Sequence, residues 1–295
     1  MFDGLAGNPA LGSAKARVSV KYNGAMRILL TNDDGIESPG LAVLRQALDG
    51  LGEISTIAPL RNHSAVARSI TIDRGLTVTR QRFGDGFTGH GVDGTPVDCV
   101  RIAVLGVVAE APEMIVSGIN LGGNLGTDVT YSGTVGAALE GALRCLPGVA
   151  FSIDSREPRY LDDVVPAVRS VLQRVIANGL PPQTVLNVNL PDRPPDEIGG
   201  VRVTRLGGAS CADSIFIEGQ NGSGRTFHLA CERPDDAAWP HSDFEALQDG
   251  FVSLTPLRFN LVDQHALAVV SRWDFEEFGG RPATPPATSL DEPSH

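Results

Sequence analysis

Two adjacent carboxylates, Asp33 and Asp34, directly follow the short apolar run Ile28-Leu29-Leu30 and Thr31-Asn32. Neighbouring carboxylates repel each other and are costly to desolvate together. A divalent cation resolves that conflict, because hard carboxylate oxygens suit Mg²⁺ or Mn²⁺. Asp-Asp-Gly is also ordinary turn chemistry, so the pair alone leaves a turn-and-cap reading equally open. Further polar groups stand at comparable places. Arg61-Asn62-His63-Ser64 follows the apolar stretch ending at Pro59. The Ser64 hydroxyl could ligate a cation, receive a phosphate or cap a turn; His63, and His90 further on, carry little weight alone. Residues Gly118 to Gly126 hold four glycines in nine positions, which allows close backbone approach. Within them Asn120 and Asn124 offer neutral oxygen ligands or amide donors. The stretch fits neither a Walker P-loop nor a dinucleotide G-x-G-x-x-G. Ser132, Gly133 and Thr134 stand where a helix of small residues begins. Such a start presents N–H groups and partial positive charge to a phosphate, or is simply capped by its serine.

The elements that position these groups follow from periodicity. Residues 27–31 read as a strand covered on both faces, and Asn32–Gly35 as the turn that ends it. Ser38-Pro39 reads as an N-cap with proline at the first helical position, and Leu41, Leu44 and Leu48 continue at helical spacing. Strands are expected at 54–59, 114–117, 149–153 and 185–190, and hairpin strands within 70–95 with turns at Gly84–Gly86 and Gly89–Gly94. A helix is expected from Thr95-Pro96 through Leu105 and Val108. The clearest amphipathic helix spans 159–178 and closes at Asn178-Gly179. Beyond residue 200 the character changes: strands are expected at 201–205, 215–218, 225–229 and 251–257, with a turn at Gly219–Gly224 and a last helix over 263–273. Strand–loop–helix repeats of this kind make an open α/β sheet, whose ligands sit at the carboxyl ends of its strands.

The 295 residues suffice for one large α/β domain or two smaller ones. A net charge of −11 excludes non-specific binding to a nucleic-acid polymer, which needs a basic surface. No apolar run approaches a membrane span. The four cysteines form no C-x-x-C pair, so they read as reduced, mostly buried thiols of a cytoplasmic protein. Residues 1–25 lack the apolar centre of a signal peptide. They are expected to be a disordered or non-native extension before a start at Met26, and residues 279–295 a disordered tail.

Taken in order, these stretches resemble the SurE family of survival-protein phosphatases. The markers are Leu30-Thr31-Asn32-Asp33-Asp34-Gly35-Ile36, Ala58-Pro59 with Arg61-Asn62-His63-Ser64, Gly94-Thr95-Pro96 with Asp98-Cys99, and Ser117-Gly118-Ile119-Asn120. They continue in Tyr131-Ser132-Gly133-Thr134-Val135, Asn187-Val188-Asn189 and Thr255-Pro256-Leu257. The resemblance implies a single α/β domain over 26–273, a three-layer sandwich with a Rossmann-like core. A hairpin-rich extension over about 200–260 and a C-terminal arm would build a homodimer or homotetramer. It also implies one divalent cation per subunit, Mg²⁺ or Mn²⁺, on Asp33, Asp34, Ser64 and Asn120. Phosphate contact falls to Ser132, Gly133 and Thr134, with Asn124 as a further substrate contact. The implied activity is hydrolysis of nucleoside 5′-monophosphates, and of 3′-monophosphates as an extension, with Asp33 and Asp34 catalytic. A water nucleophile is favoured, because Asp33-Asp34 lacks the spacer of a D-x-D aspartyl-phosphate motif. Two alternatives stay open: a phosphatase for other esters or short polyphosphate, and a non-catalytic nucleotide-binding regulator. One departure stands beside the site, where Ser64 is followed by Ala65-Val66-Ala67 in place of the family's glycine and small polar residue.

Overall fold

The structure, a computed structural model, describes residues 25–83, 86–106, 109–208, 212–221, 224–232, 239–274 and 279. Residues 1–24 of the extension expected over 1–25, and 280–295 of the tail expected over 279–295, lie outside them. So do Val108 and the two turn centres at 84–85 and 222–223. The chain divides into two compact units, one through Arg258 and one from Phe259.

In the first unit the elements run β1 (Arg27–Thr31), α1 (Pro39–Leu48), β2 (Glu53–Pro59), β3 (Val78–Arg82), β4 (Thr88–Val92), α2 (Pro96–Val104) and β5 (Met114–Leu121). They continue with α3 (Gly133–Ala142), β6 (Gly148–Ile153), α4 (Val165–Asn178), β7 (Thr184–Leu190), β8 (Val201–Val203), β9 (Ala212–Asn221), β10 (Gly224–Glu232), α5 (Asp243–Gln248) and β11 (Val252–Arg258). One nine-stranded sheet has the order β3-β4-β2-β1-β5-β6-β7-β11-β8, and β9 and β10 form a separate two-stranded ribbon. The strands from β4 across to β7 are parallel; β3 pairs antiparallel with β4, and β11 antiparallel with β7.

The apolar run of β1 is covered on both sides, as its sequence implies. Ile28 and Leu30 join a cluster with Leu41, Leu44 and Leu48 of α1 and Val168 and Leu172 of α4. Leu29 points to the opposite face, into a cluster with Val100 and Ala103 of α2 and Ala137 of α3. The molecule is therefore the expected three-layer α/β sandwich. After β2 and the β3–β4 pair the chain returns through α2 to β5, on the other side of β1. The direction of winding thus reverses between β1 and β5. Their carboxyl ends are where open α/β sheets leave a crevice for ligand.

Several boundaries differ from the sequence reading. α4 starts at Val165, not 159. Pro166 lacks an N–H for the preceding turn, and the N–H groups of Arg159 and Tyr160 donate to the Asp192 carboxylate at 3.0 Å. α2 ends at Val104. β8 stops at Val203, whereas β9 and β10 each run longer than expected. α5 is an addition: Ser242 Oγ accepts the Glu245 N–H at 3.2 Å, and the His241 N–H donates back to the Glu245 carboxylate at 2.6 Å. Ser38 precedes α1, but its side chain makes no capping bond. Cys99 is buried as expected, whereas Cys145 is exposed. In the second unit α6 covers Gln264–Val270, capped by Asp263, whose carboxylate accepts the Ala266 N–H at 2.9 Å.

Candidate active site

The turn after β1 delivers both carboxylates to the reversal point. Asn32 is fully buried, and its side-chain amide donates to Gly35 O at 2.8 Å, which closes the turn. The Ile36 N–H donates to Pro59 O and the His63 N–H to Asp33 O, so the loops after β1 and β2 are laced together. Asp33 is only 2% exposed and abuts the start of α3. The Thr134 hydroxyl donates to its Oδ1. The approach is close enough to require glycine at 133, since a Cβ there would lie 2.8 Å from Asp33 Cβ and Oδ2.

Asp34 turns the other way. The Leu121 N–H donates to its Oδ2 at 3.2 Å, and Asn62 Nδ2 approaches its Oδ1 at 3.4 Å. Asn62 Oδ1 in turn accepts both the hydroxyl and the N–H of Ser64, at 2.6 and 2.7 Å. Asn120 donates its amide to Gly122 O at 2.7 Å, so its carbonyl oxygen is the group left to serve as a ligand.

The electrostatics suit a cation. Burial pushes the Asp33 carboxyl up to about 6, against the pull of the Thr134 hydrogen bond and with a further push from Asp34. Burial also raises Asp34, with the Leu121 N–H opposing. Among the described residues neither carboxylate forms an ion pair, so their desolvation is not offset by an arginine or lysine. Among the described residues no three His, Cys, Asp or Glu side chains are placed to hold a metal ion by themselves. A cation here would be held by two carboxylates completed by the neutral oxygens of Ser64 and Asn120, a hard-oxygen set that fits Mg²⁺ or Mn²⁺.

The residues expected at the phosphate seat divide. Ser132 caps α3, its hydroxyl accepting the Val135 N–H at 3.0 Å. Thr134 gives its hydroxyl to Asp33 and is fully buried. Gly133 opens the first turn of α3 beside Asp33. Asn124 sits apart, bound into the sheet end. Its N–H donates to Asn189 Oδ1 and its Nδ2 to Ser152 Oγ, both at 2.8 Å, while Asn187 and Asn189 donate to its carbonyl. Asn62 was absent from the sequence-derived site, although it lies in the quoted segment before Ser64. The Asn187 and Asn189 pair also had a signal, two polar residues on one face of a buried strand.

Fold and site together define a doubly wound α/β protein with an acidic, cation-suited centre where its sheet reverses direction. The chain belongs to the SurE family: the family model described as Survival protein SurE matches residues 28–213. The protein is 43% identical over 248 residues to the 5′-nucleotidase SurE of Methylococcus capsulatus, a match covering 84% of this chain and 97% of that one. The 5′-nucleotidase SurE of Rubrobacter xylanophilus is likewise 43% identical, over 260 residues, with 84% and 97% covered. The solved SurE protein from Aquifex aeolicus superposes with a TM-score of 0.72 at 34% identity, covering 83% of this chain and 98% of that chain.

Proposed function

We propose that this protein is a divalent-metal-dependent phosphomonoesterase that hydrolyses nucleoside 5′-monophosphates, with 3′-monophosphates as a further substrate class. The observation that carries the reading is the placement of buried Asp33 against Gly133 and Thr134 at the start of α3, with Asp34 beside it. Carboxylates to hold a cation thus stand next to a helix start suited to an oxyanion. The curated relatives named 5′-nucleotidase supply the substrate class.

Asp33, Asp34, Ser64 and Asn120 would hold the cation, which when bound supplies charge neutralisation for the phosphoryl oxygens. The first turn of α3 offers the Gly133 N–H and its partial positive charge to the same oxygens, while the Thr134 N–H serves the Asp33 carboxylate and the Val135 N–H the Ser132 hydroxyl. Thr134 keeps Asp33 oriented through its hydroxyl, and Asn62 ties Ser64 to Asp34. In the reaction a water oxygen bonds to phosphorus, the bond to the ester oxygen breaks, and the departing nucleoside oxygen takes a proton. Free Cys99 and Cys145 support a cytoplasmic setting, and no described helix is long and apolar enough to cross a membrane. We take the working form to be a homodimer or homotetramer.

Ala65 and Ala67 give a second reading some support. Both adopt left-handed backbone, φ 59° and 54°, a region in which non-glycine residues are uncommon. The loop after Ser64 is therefore held in an uncommon backbone conformation beside the site, which keeps another phosphate ester or short polyphosphate as the alternative substrate. A panel of nucleoside 5′- and 3′-monophosphates, an aryl phosphate and a short polyphosphate, assayed with EDTA, Mg²⁺ or Mn²⁺, tests both readings. The expected result is phosphate release that needs the metal and is fastest from nucleotides. Full turnover in EDTA overturns the metal site, and faster turnover of polyphosphate overturns the substrate assignment.

A further inference from the structure

A second cleft lies on the opposite face of the sheet from α3, between α1 and the β3–β4 hairpin. Its cavity of about 240 Å³ is lined by Ile36, Leu41, Phe83 and Phe87, with Ser38 and Thr56 as its buried polar groups. Ser38 is 8% exposed and Thr56 is 3% exposed. The hydroxyl of each is buried with no hydrogen-bond partner. A buried hydroxyl left unsatisfied costs about 1–3 kcal/mol; both residues line the cavity with their oxygens just beneath its surface, so a side-chain rotation onto a bound ligand would satisfy them. Phe83 and Phe87 stack with ring centroids 5.9 Å apart, and the Arg45 guanidinium lies 4.2 Å over the Phe87 ring. Gly89 packs against two of the lining residues: a Cβ there would come within 3.2 Å of Thr56 Cβ and 3.4 Å of the Phe83 ring.

We propose that this cleft is a non-catalytic site for a neutral, planar heteroaromatic ring of the nucleobase class. The two phenylalanines and the aliphatic walls suit a flat ring face, and the two hydroxyls suit an edge that both donates and accepts. Arg45 and Glu37 both line the cleft with opposite charge, so the lining selects against an ionic ligand. Its volume falls just under the range of drug-sized pockets, about 300–1,000 Å³, which suits one ring system better than a whole nucleotide. Ile36, Glu37 and Ser38 continue directly from the turn that carries Asp33 and Asp34. A ring bound here therefore braces that turn from behind, without touching the start of α3.

The test is calorimetric titration of adenosine into the full chain, with Mn²⁺ and saturating inorganic phosphate present. Thr56→Val and Ser38→Ala are compared with wild type, and turnover of an aryl phosphate is followed in each. Adenosine binds the wild type, and each substitution raises its Kd about tenfold, the loss of one hydrogen bond, while aryl phosphate turnover stays within about twofold. Retained turnover certifies the fold of each variant, and Ser38→Ala stands in should Thr56→Val fail to fold. No binding to wild type at the highest soluble adenosine concentration overturns the proposal. So does a Kd unchanged in both variants. Absence of aryl phosphate turnover in the wild type counts against the phosphatase reading and leaves the adenosine result to be judged separately.

Discussion

At the scale of single residues the decisive quantity is the cost of ionising Asp33. Its carboxyl titrates near 6 in the fold against an ordinary 3.8, because burial disfavours the charged form. The native state therefore holds this proton more tightly than the unfolded chain does. Stability is lost as pH climbs from about 4 through 6, and the full penalty is present above 6. Raising the carboxyl from 3.8 to about 6 corresponds to about 3 kcal/mol. In metal-free protein, Asp33→Asn should raise the melting temperature by several degrees at pH 7.5 and by almost nothing at pH 4. Mn²⁺ should raise the melting temperature of wild type at pH 7.5 and leave that of the variant nearly unmoved. Activity should fall at least a hundredfold in Asp33→Asn and Asp34→Asn alike. Melts at the two pH values, with EDTA or Mn²⁺, check all of this; a variant less stable than wild type at both pH values sinks the account. The two carboxylates were visible as an adjacent pair, which alone left a turn reading equally open. Their partners were not visible, because the Thr134 hydroxyl lies 101 residues away in the chain and the Asn62 link to Ser64 is a matter of side-chain direction.

At the scale of elements the site depends on how closely α3 approaches the end of β1. Helix propensity alone favours Gly133→Ala, by about 1 kcal/mol in a helix interior. Contact geometry opposes it, since the new Cβ would meet Asp33 at 2.8 Å. Asp33 has little room to retreat, with its carbonyl bound by the His63 N–H at 2.7 Å. Gly133→Ala should therefore push α3 outward and lower kcat/KM by roughly a hundredfold, the scale of a 1 Å misplacement. Unaltered kcat/KM with a raised melting temperature decides for propensity. Elements with long runs were readable in advance. β1 showed its double burial in Ile28-Leu29-Leu30, and α4 showed its buried side in Val168, Val171, Leu172 and Val175. The start of α4 was misplaced because Asp192, far along the chain, takes the N–H groups of Arg159 and Tyr160. α5 escaped because six residues carry too little periodicity, and its Ser242 and Glu245 cap reads as ordinary loop polarity.

At the scale of the whole molecule the β9–β10 ribbon stands out, because among the described residues its two strands pair with each other and join no larger sheet. An isolated two-stranded hairpin is marginal in water, and its outer edges present unpaired N–H and C=O groups that invite another chain. Phe227 on β10 is 53% exposed. These features suit an arm that is completed by a second copy. Ala212 and Glu232 are cross-strand partners, about 5 Å apart at Cα, so two or three glycines can replace residues 213–231 between them without stretching the chain. The nine-stranded sheet keeps all its pairings in that variant, and its melting temperature should move by only a few degrees. Its mass in solution, measured by light scattering, should fall from that of a dimer or tetramer toward a single chain. An unchanged mass would place the contact between copies elsewhere. A wild-type chain that is already monomeric would remove the oligomeric reading altogether.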